Sequence, residues 1–303
     1  MRWRLTIALA ILFMTVGGYG AWAYVHNYIL YRGFPPPRDP PGVAAGTLVE
    51  EHFQSPVLGR QDSYLVYEPP GYQSLAARGM RFPVLYLLHG SNSNGDTYIN
   101  VGRAGVALDE LLAAGRTRPF LIVIPESTDG SLTDDTEWAN ADAGPFENEL
   151  IQVVRQVDSR WPTVADRGGR ALAGLSMGGY GALNVGLHHP GMFATLESWS
   201  GYFTQTRSGP FDDSARLALD RNSPAAYAPT IAPTLRRRPL QILIYTGRAD
   251  PLVREQAAFA AELQGLGVQV TTAHPTGEHD WALWRREMPL AVLYAGQSLW
   301  RSP

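Results

Sequence analysis

Ala173-Gly174-Leu175-Ser176-Met177-Gly178-Gly179-Tyr180-Gly181 places a serine between two glycines in the pattern G-x-S-x-G. The strand-like Arg170-Ala171-Leu172-Ala173 precedes it, and the helix-compatible run from Tyr180 to Leu187 follows. A strand, a sharp turn and a helix are what a nucleophile elbow needs. The turn predicts a strained, exposed Ser176. Gly174 and Gly178 fit because a Cβ at either would meet the neighbouring strand or helix.

Outward from this turn, short apolar runs alternate with helix-period stretches. Ser63–Tyr67 alternates like an antiparallel or edge strand. Residues 84–88 and 120–124 are continuously apolar, as buried parallel strands are. Residues 171–173 and 240–245 behave similarly, and 268–272 makes a last strand. Helical periodicity covers 106–114, 147–158, 179–188, 254–266 and 281–294. This alternation predicts an α/β fold with a mostly parallel central sheet and helices on both faces. In such sheets, ligands bind beyond the carboxyl ends of the strands.

Composition narrows the chemistry. The chain has 303 residues, 45% hydrophobic and 17% charged, with a net charge of −3. No basic stripe suits nucleic acid. There is no cysteine, which excludes disulfides, thiolate nucleophiles and Cys-ligated metals. Lysine is also absent. That removes a Walker A nucleotide site, a Schiff base and a Ser-Lys dyad. A nucleophilic Ser176 therefore needs a histidine base.

Seven histidines compete for that role. His26 lies near the N-terminal apolar stretch and His52 precedes the first strand. His188 and His189 end the helix after the elbow, where a cap is the simpler reading. His89 reads as loop packing, and His274, at the end of the last strand, is the reserve candidate. His279, in Gly277-Glu278-His279-Asp280-Trp281, occupies the loop before the last helix, where the base falls in the chain order Ser, acid, His. Asp250, just past the 240–245 strand, is the matching acid, with Glu255 and Glu278 as alternatives. As a plain structural residue, Asp250 would cap the helix that follows Pro251. The oxyanion hole needs two backbone N–H donors. Met177, directly after the serine, supplies one. Ser91, in His89-Gly90-Ser91-Asn92, supplies the other.

The chain outside this domain reads differently. Met1-Arg2-Trp3-Arg4 is a positive head, and Leu5 to Val25 carries no charge. This length predicts a signal-anchor helix crossing a membrane, while Ala21-Trp22-Ala23 equally suits signal-peptide cleavage. Either places the rest of the chain outside the cytoplasm, secreted or anchored. Residues 26–45, with Pro35-Pro36-Pro37 and Pro40-Pro41, read as a semi-rigid linker. The domain is expected over 46–303. The loop from Ser127 to Phe146 carries Asp129, Asp134, Asp135, Glu137 and Asp142, with Trp138 and Asn140. Its spacing does not match an EF-hand. It reads as a solvated loop overhanging the pocket, with Trp138 able to stack on a substrate ring.

Leu87-Leu88-His89-Gly90, Gly174 to Gly179 and the closing Gly277-x-His279-x-Trp281 resemble an esterase family of α/β-hydrolases. That family includes esterase D type enzymes, feruloyl esterases and the antigen 85 mycolyltransferases. The resemblance covers roughly residues 47–297. It implies an α/β-hydrolase fold with Ser176, Asp250 and His279 as triad, oxyanion amides from Ser91 and Met177, and Trp281 beside the substrate. It implies no cofactor and no metal, and a small-molecule or envelope ester as substrate. Mycolyltransferases differ at His89, where they have Asp, and at Asn92, where they have a substrate-holding Arg. Ester hydrolysis is therefore the leading expectation. Acyl transfer to a carbohydrate or lipid alcohol of the cell envelope is the alternative, and a non-catalytic envelope-binding module is the second.

Overall fold

The computed structural model describes residues 2–129 and 135–300. Helix α1 (Arg2–Tyr31) leads into a proline-containing segment and then two antiparallel strands, β1 (Thr47–Ser55) and β2 (Arg60–Glu68). There follow α2 (Tyr72–Ala77), β3 (Val84–Leu88), α3 (Asp96–Asn100), α4 (Ala104–Ala113) and β4 (Leu121–Pro125). A small hairpin, β5 (Asn140–Ala141) and β6 (Gly144–Pro145), precedes α5 (Phe146–Arg160), β7 (Arg170–Leu175), α6 (Met177–His188) and β8 (Thr195–Trp199). The chain closes through α7 (Arg216–Arg221), α8 (Pro224–Arg237), β9 (Gln241–Tyr245), α9 (Val253–Gly265), β10 (Gln269–Ala273) and α10 (Trp281–Leu299).

One eight-stranded sheet organises these elements, in the order β1-β2-β4-β3-β7-β8-β9-β10. β1, β2 and β4 pair antiparallel, and every pairing from β4 through β3 to β10 is parallel. The pleat sends successive side chains to opposite faces. Val84, Tyr86 and Leu88 join a core with α5, α6, α8 and α9, while Leu85 and Leu87 join one with α4 and α10. Burial on both faces explains why β3, β4 and β7 read as continuous apolar runs.

Sequence periodicity missed β1, β8 and α8. β8 reads Thr-Leu-Glu-Ser-Trp, and all five residues are buried although three are polar. α8 contains Pro229 and Pro233, which read as breaks.

The expected membrane-crossing helix needs correction. Among the described residues no helix is long and apolar enough to cross a membrane. In α1 the mostly apolar run ends at Val16, before Gly17-Gly18-Tyr19-Gly20. Leu5 to Val16 rises only about 18 Å as a helix, against a hydrocarbon core of about 30 Å.

The helix also continues to Tyr31, so residues 26–31 are helical rather than extended. The segment beyond it is tied to the domain. Phe34 packs on the α4–α10 core, and Arg285 Nη2 donates to the Pro35 carbonyl at 3.0 Å.

Candidate active site

β7 ends at Leu175 and α6 begins at Met177, so Ser176 alone makes the turn. Its backbone sits at φ 53°, ψ −121°, a region that L-residues occupy at a cost. The turn is this tight because Gly178 lies against the Leu88 and His89 carbonyls, where any Cβ would collide with backbone. Gly90 brings the loop after β3 equally close. A Cβ there would stand 3.3 Å from that of Ser176.

Three side chains converge here from separate loops. Ser176 Oγ lies 2.9 Å from His279 Nε2, and His279 Nδ1 lies 2.9 Å from Asp250 Oδ2. His279 follows β10 and is steered by the next residue. Asp280 caps α10 by accepting from the Leu283 amide at 2.9 Å. The other faces of the imidazole are limited by Trp284, whose ring stands edge-on at 5.1 Å.

Asp250 does two jobs with two oxygens. Oδ1 accepts from the Leu252 amide at 2.9 Å, the turn-capping role, while Oδ2 faces His279. Burial on its own would raise the carboxyl pKa. Hydrogen bonds from His279, the Leu252 amide and the Ser200 hydroxyl outweigh it and hold the pKa below the usual aspartate value. A buried carboxylate that stays ionised is suited to face an imidazolium.

Glu197 on β8 shows the opposite balance. It is fully buried, and its one donor is the Trp199 indole N–H at 3.0 Å. Oε1 has no partner among the described residues. Burial pushes its pKa up to about 8, which favours the neutral acid.

The pocket beside Ser176 encloses about 360 Å³ and is bounded by Gly90, Ser91, Asn92, Trp281 and Trp284. The Ser91 hydroxyl contacts Met177 Sδ at 3.5 Å, so the two candidate oxyanion residues are adjacent. Met177 is the first residue of α6, and its N–H has no intrahelical acceptor.

Trp138 is elsewhere. It is fully buried, and its indole N–H donates to the His89 carbonyl at 3.0 Å. It supports the loop after β3 from beneath instead of stacking on a substrate. The stretch immediately around it, 136–139, is not solvated either. Thr136, Glu137 and Ala139 are buried, and Glu137 accepts from the Tyr202 hydroxyl and from Gln205. Trp138 joins the main core, and Ala139 packs with Phe211 and Leu219 from far along the chain. Asp134 lies outside the described residues. Among those described, no group of three or more acidic or histidine side chains could hold a metal.

Three of the remaining histidines have partners of their own. His89 is buried between the Glu126 and Gly90 carbonyls, and His188 and His189 both pair with Glu147. Sequence reasoning missed Ser200, Trp284 and Arg32. A lone serine or tryptophan carries no pattern, and Arg32 lies in a stretch read as linker.

An eight-stranded, mostly parallel sheet with a serine elbow, a late aspartate and a last-loop histidine defines an α/β-hydrolase. The chain belongs to the family described as "Putative esterase", whose pattern matches residues 55–295. An endo-1,4-beta-xylanase/feruloyl esterase of Xylanibacter ruminicola is 35% identical over 161 residues, covering 52% of this chain and 22% of that protein. An esterase of Mycobacterium tuberculosis is 32% identical over 154 residues, 49% of this chain and 31% of its own. The chain thus spans less than a third of the length of either. A solved ferulic acid esterase superposes with a TM-score of 0.75 at 23% identity, covering 84% of this chain and 99% of its own.

Proposed function

We propose that this protein is a serine esterase that hydrolyses a carboxylic ester through an acyl-enzyme. Ser176 Oγ attacks the ester carbonyl carbon while His279 Nε2 takes the hydroxyl proton. Asp250 holds the imidazole in the right tautomer and stabilises the imidazolium. The developing oxyanion accepts hydrogen bonds from the Ser91 and Met177 amides. The intermediate collapses as His279 returns its proton to the leaving alcohol. Water then attacks the acyl-enzyme with His279 again as base, releasing the acid and restoring Ser176.

The observation that carries this reading is the unbroken chain of contacts, Ser176 to His279 to Asp250, each at 2.9 Å. A pocket of about 360 Å³ has room for one short acyl or aryl group. Fluorophosphonate labelling tests the nucleophile. The wild type labels and turns over a chromogenic acetate ester. Ser176→Ala does neither, with kcat lower by about 10⁴-fold or more. Equal labelling of the two proteins would refute the assignment.

The same reading includes export. The apolar run after Arg2 and Arg4 followed by Ala21-Trp22-Ala23 supports a signal peptide cut near Ala23. N-terminal sequencing of the protein from culture medium or envelope fractions checks it. A chain that begins at Met1 in the cytosolic fraction contradicts it.

A further inference from the structure

The pocket that holds Ser176 has one wall that comes from outside the family-matched region. Arg32 lines it together with Asn92, Trp281 and His279. Arg32 Nη2 donates to the Asn92 carbonyl at 2.8 Å, and the guanidinium carbon lies 6.0 Å from the Trp281 ring centre. Both of these contacts are with pocket-wall residues.

Arg32 is held in place by the chain around it. It directly follows α1 at φ 50°, and Gly33 comes next at φ 81°. A left-handed backbone at a bulky L-residue costs about 1–2 kcal/mol, so surrounding contacts must maintain it. Those contacts are present. The Arg32 amide donates to the Tyr28 carbonyl at 2.8 Å. Arg285 clamps the next turn, with its guanidinium 5.3 Å over the Phe34 ring and hydrogen bonds to the Pro35 and Val101 carbonyls.

The charge is unbalanced. Among the described residues no carboxylate forms an ion pair with Arg32, and its donors beyond the Asn92 bond meet no protein acceptor. The carboxylate in the same wall, Asp280, is occupied at the start of α10. Desolvation lowers the Arg32 pKa, but a guanidinium remains protonated in proteins. A fixed cation with unused, forked donors beside a nucleophile is matched by a carboxylate.

We propose that Arg32 is a specificity-determining residue that binds a carboxylate carried by the ester substrate. This rests on the esterase reading above. The carboxylate can belong to the acyl half or to the alcohol half, and paired substrates separate the two. 4-Nitrophenyl hydrogen succinate against 4-nitrophenyl pentanoate places the charge on the acyl side. 4-Acetoxybenzoate against 4-acetoxybenzamide places it on the alcohol side.

The wild type favours the charged member of one pair by about 10-fold in kcat/KM. Arg32→Met removes most of that ratio, and Arg32→Lys keeps part of it. Raising ionic strength from 0.05 to 0.5 M compresses the wild-type ratio and leaves that of Arg32→Met nearly constant. Each ratio is internal to one protein, so a general loss of folded enzyme cancels. A wild-type ratio at or below one in both pairs overturns the proposal. So does an Arg32→Met ratio equal to that of the wild type. Wild-type protein that turns over none of the four esters instead sinks the esterase reading, and the proposal with it.

Discussion

The parallel strands carry a cavity at each end, and the larger is not beside Ser176. The amino-end cavity encloses about 670 Å³ and is walled by Pro83, Gly169, Thr195 and Gln241, at the starts of β3, β7, β8 and β9. The carboxyl-end pocket beside Ser176 encloses about 360 Å³. At the amino end the cations are engaged by the protein. Arg167 donates to the Pro190 and Pro239 carbonyls, and Arg118 stacks 3.8 Å over the Trp300 ring. None of the described non-glycine residues with positive φ lines that cavity. At the carboxyl end Arg32, Asn92 and Ser176 all have positive φ, near 50° to 55°. Backbone strain and unpaired charge mark the carboxyl end, although its cavity is the smaller of the two.

That contrast can be broken or sharpened by substitution. The largest effect is expected at Asp250. Asp250→Asn leaves the carboxyl-end geometry in place but presents the wrong hydrogen-bond partner to His279. Its kcat on a neutral ester falls by about 10⁴-fold, measured at saturating substrate. A fall below tenfold would remove Asp250 from the relay.

Gly178→Ala comes next. Its Cβ meets the Leu88 backbone carbonyl, which cannot move without displacing β3. Chemical denaturation should show a loss of about 3 kcal/mol, and the remaining folded protein should label poorly with fluorophosphonate.

Glu197→Gln probes the neutral acid behind the site. Its folded pKa is raised to about 8. The unfolded chain therefore releases this proton first, and stability falls as pH rises from the ordinary glutamate value toward 8. The variant lacks that slope. Relative to wild type it gains about 3 kcal/mol between pH 5 and pH 8 in urea titrations. Asp250 has the opposite sign. Its hydrogen bonds stabilise the fold above the ordinary aspartate value, and that contribution disappears as pH drops through the lowered one.

Arg118→Ala at the amino end is the smallest case. Loss of the Trp300 contact costs about 0.5–1 kcal/mol, and kcat/KM stays within twofold of wild type. A large kinetic effect would show that the two ends communicate.

The elbow, Asp250 and His279 were legible because each is a residue type at a constrained place: a serine between glycines, an acid after a late strand, a histidine before the last helix. β3, β4 and β7 were legible because burial on both faces leaves uninterrupted apolar runs. β8 was not, since Glu197 and Ser198 interrupt its pattern. Both are fully buried, in the middle of a strand paired on both sides by β7 and β9. Trp138 was misread for a related reason. Acidic neighbours suggested solvent, but its indole partner, the His89 carbonyl, lies 49 residues away. Arg32 was hidden by the prolines beside it, which signal an extended spacer. Its docking depends on Arg285, 250 residues beyond the Pro35 it holds.

The clamp of Arg285 on Phe34 and Pro35 also has a consequence for inheritance. The proposed relay of Ser176, Asp250 and His279 lies within residues 55–295, whereas Arg32 lies upstream of them. Recombination at a junction between Pro37 and Gly46 would hand a daughter protein the same reaction machinery with a different residue at the rim. Leader and catalyst could then diversify on separate clocks, with charge preference changing by exchange of a short upstream piece.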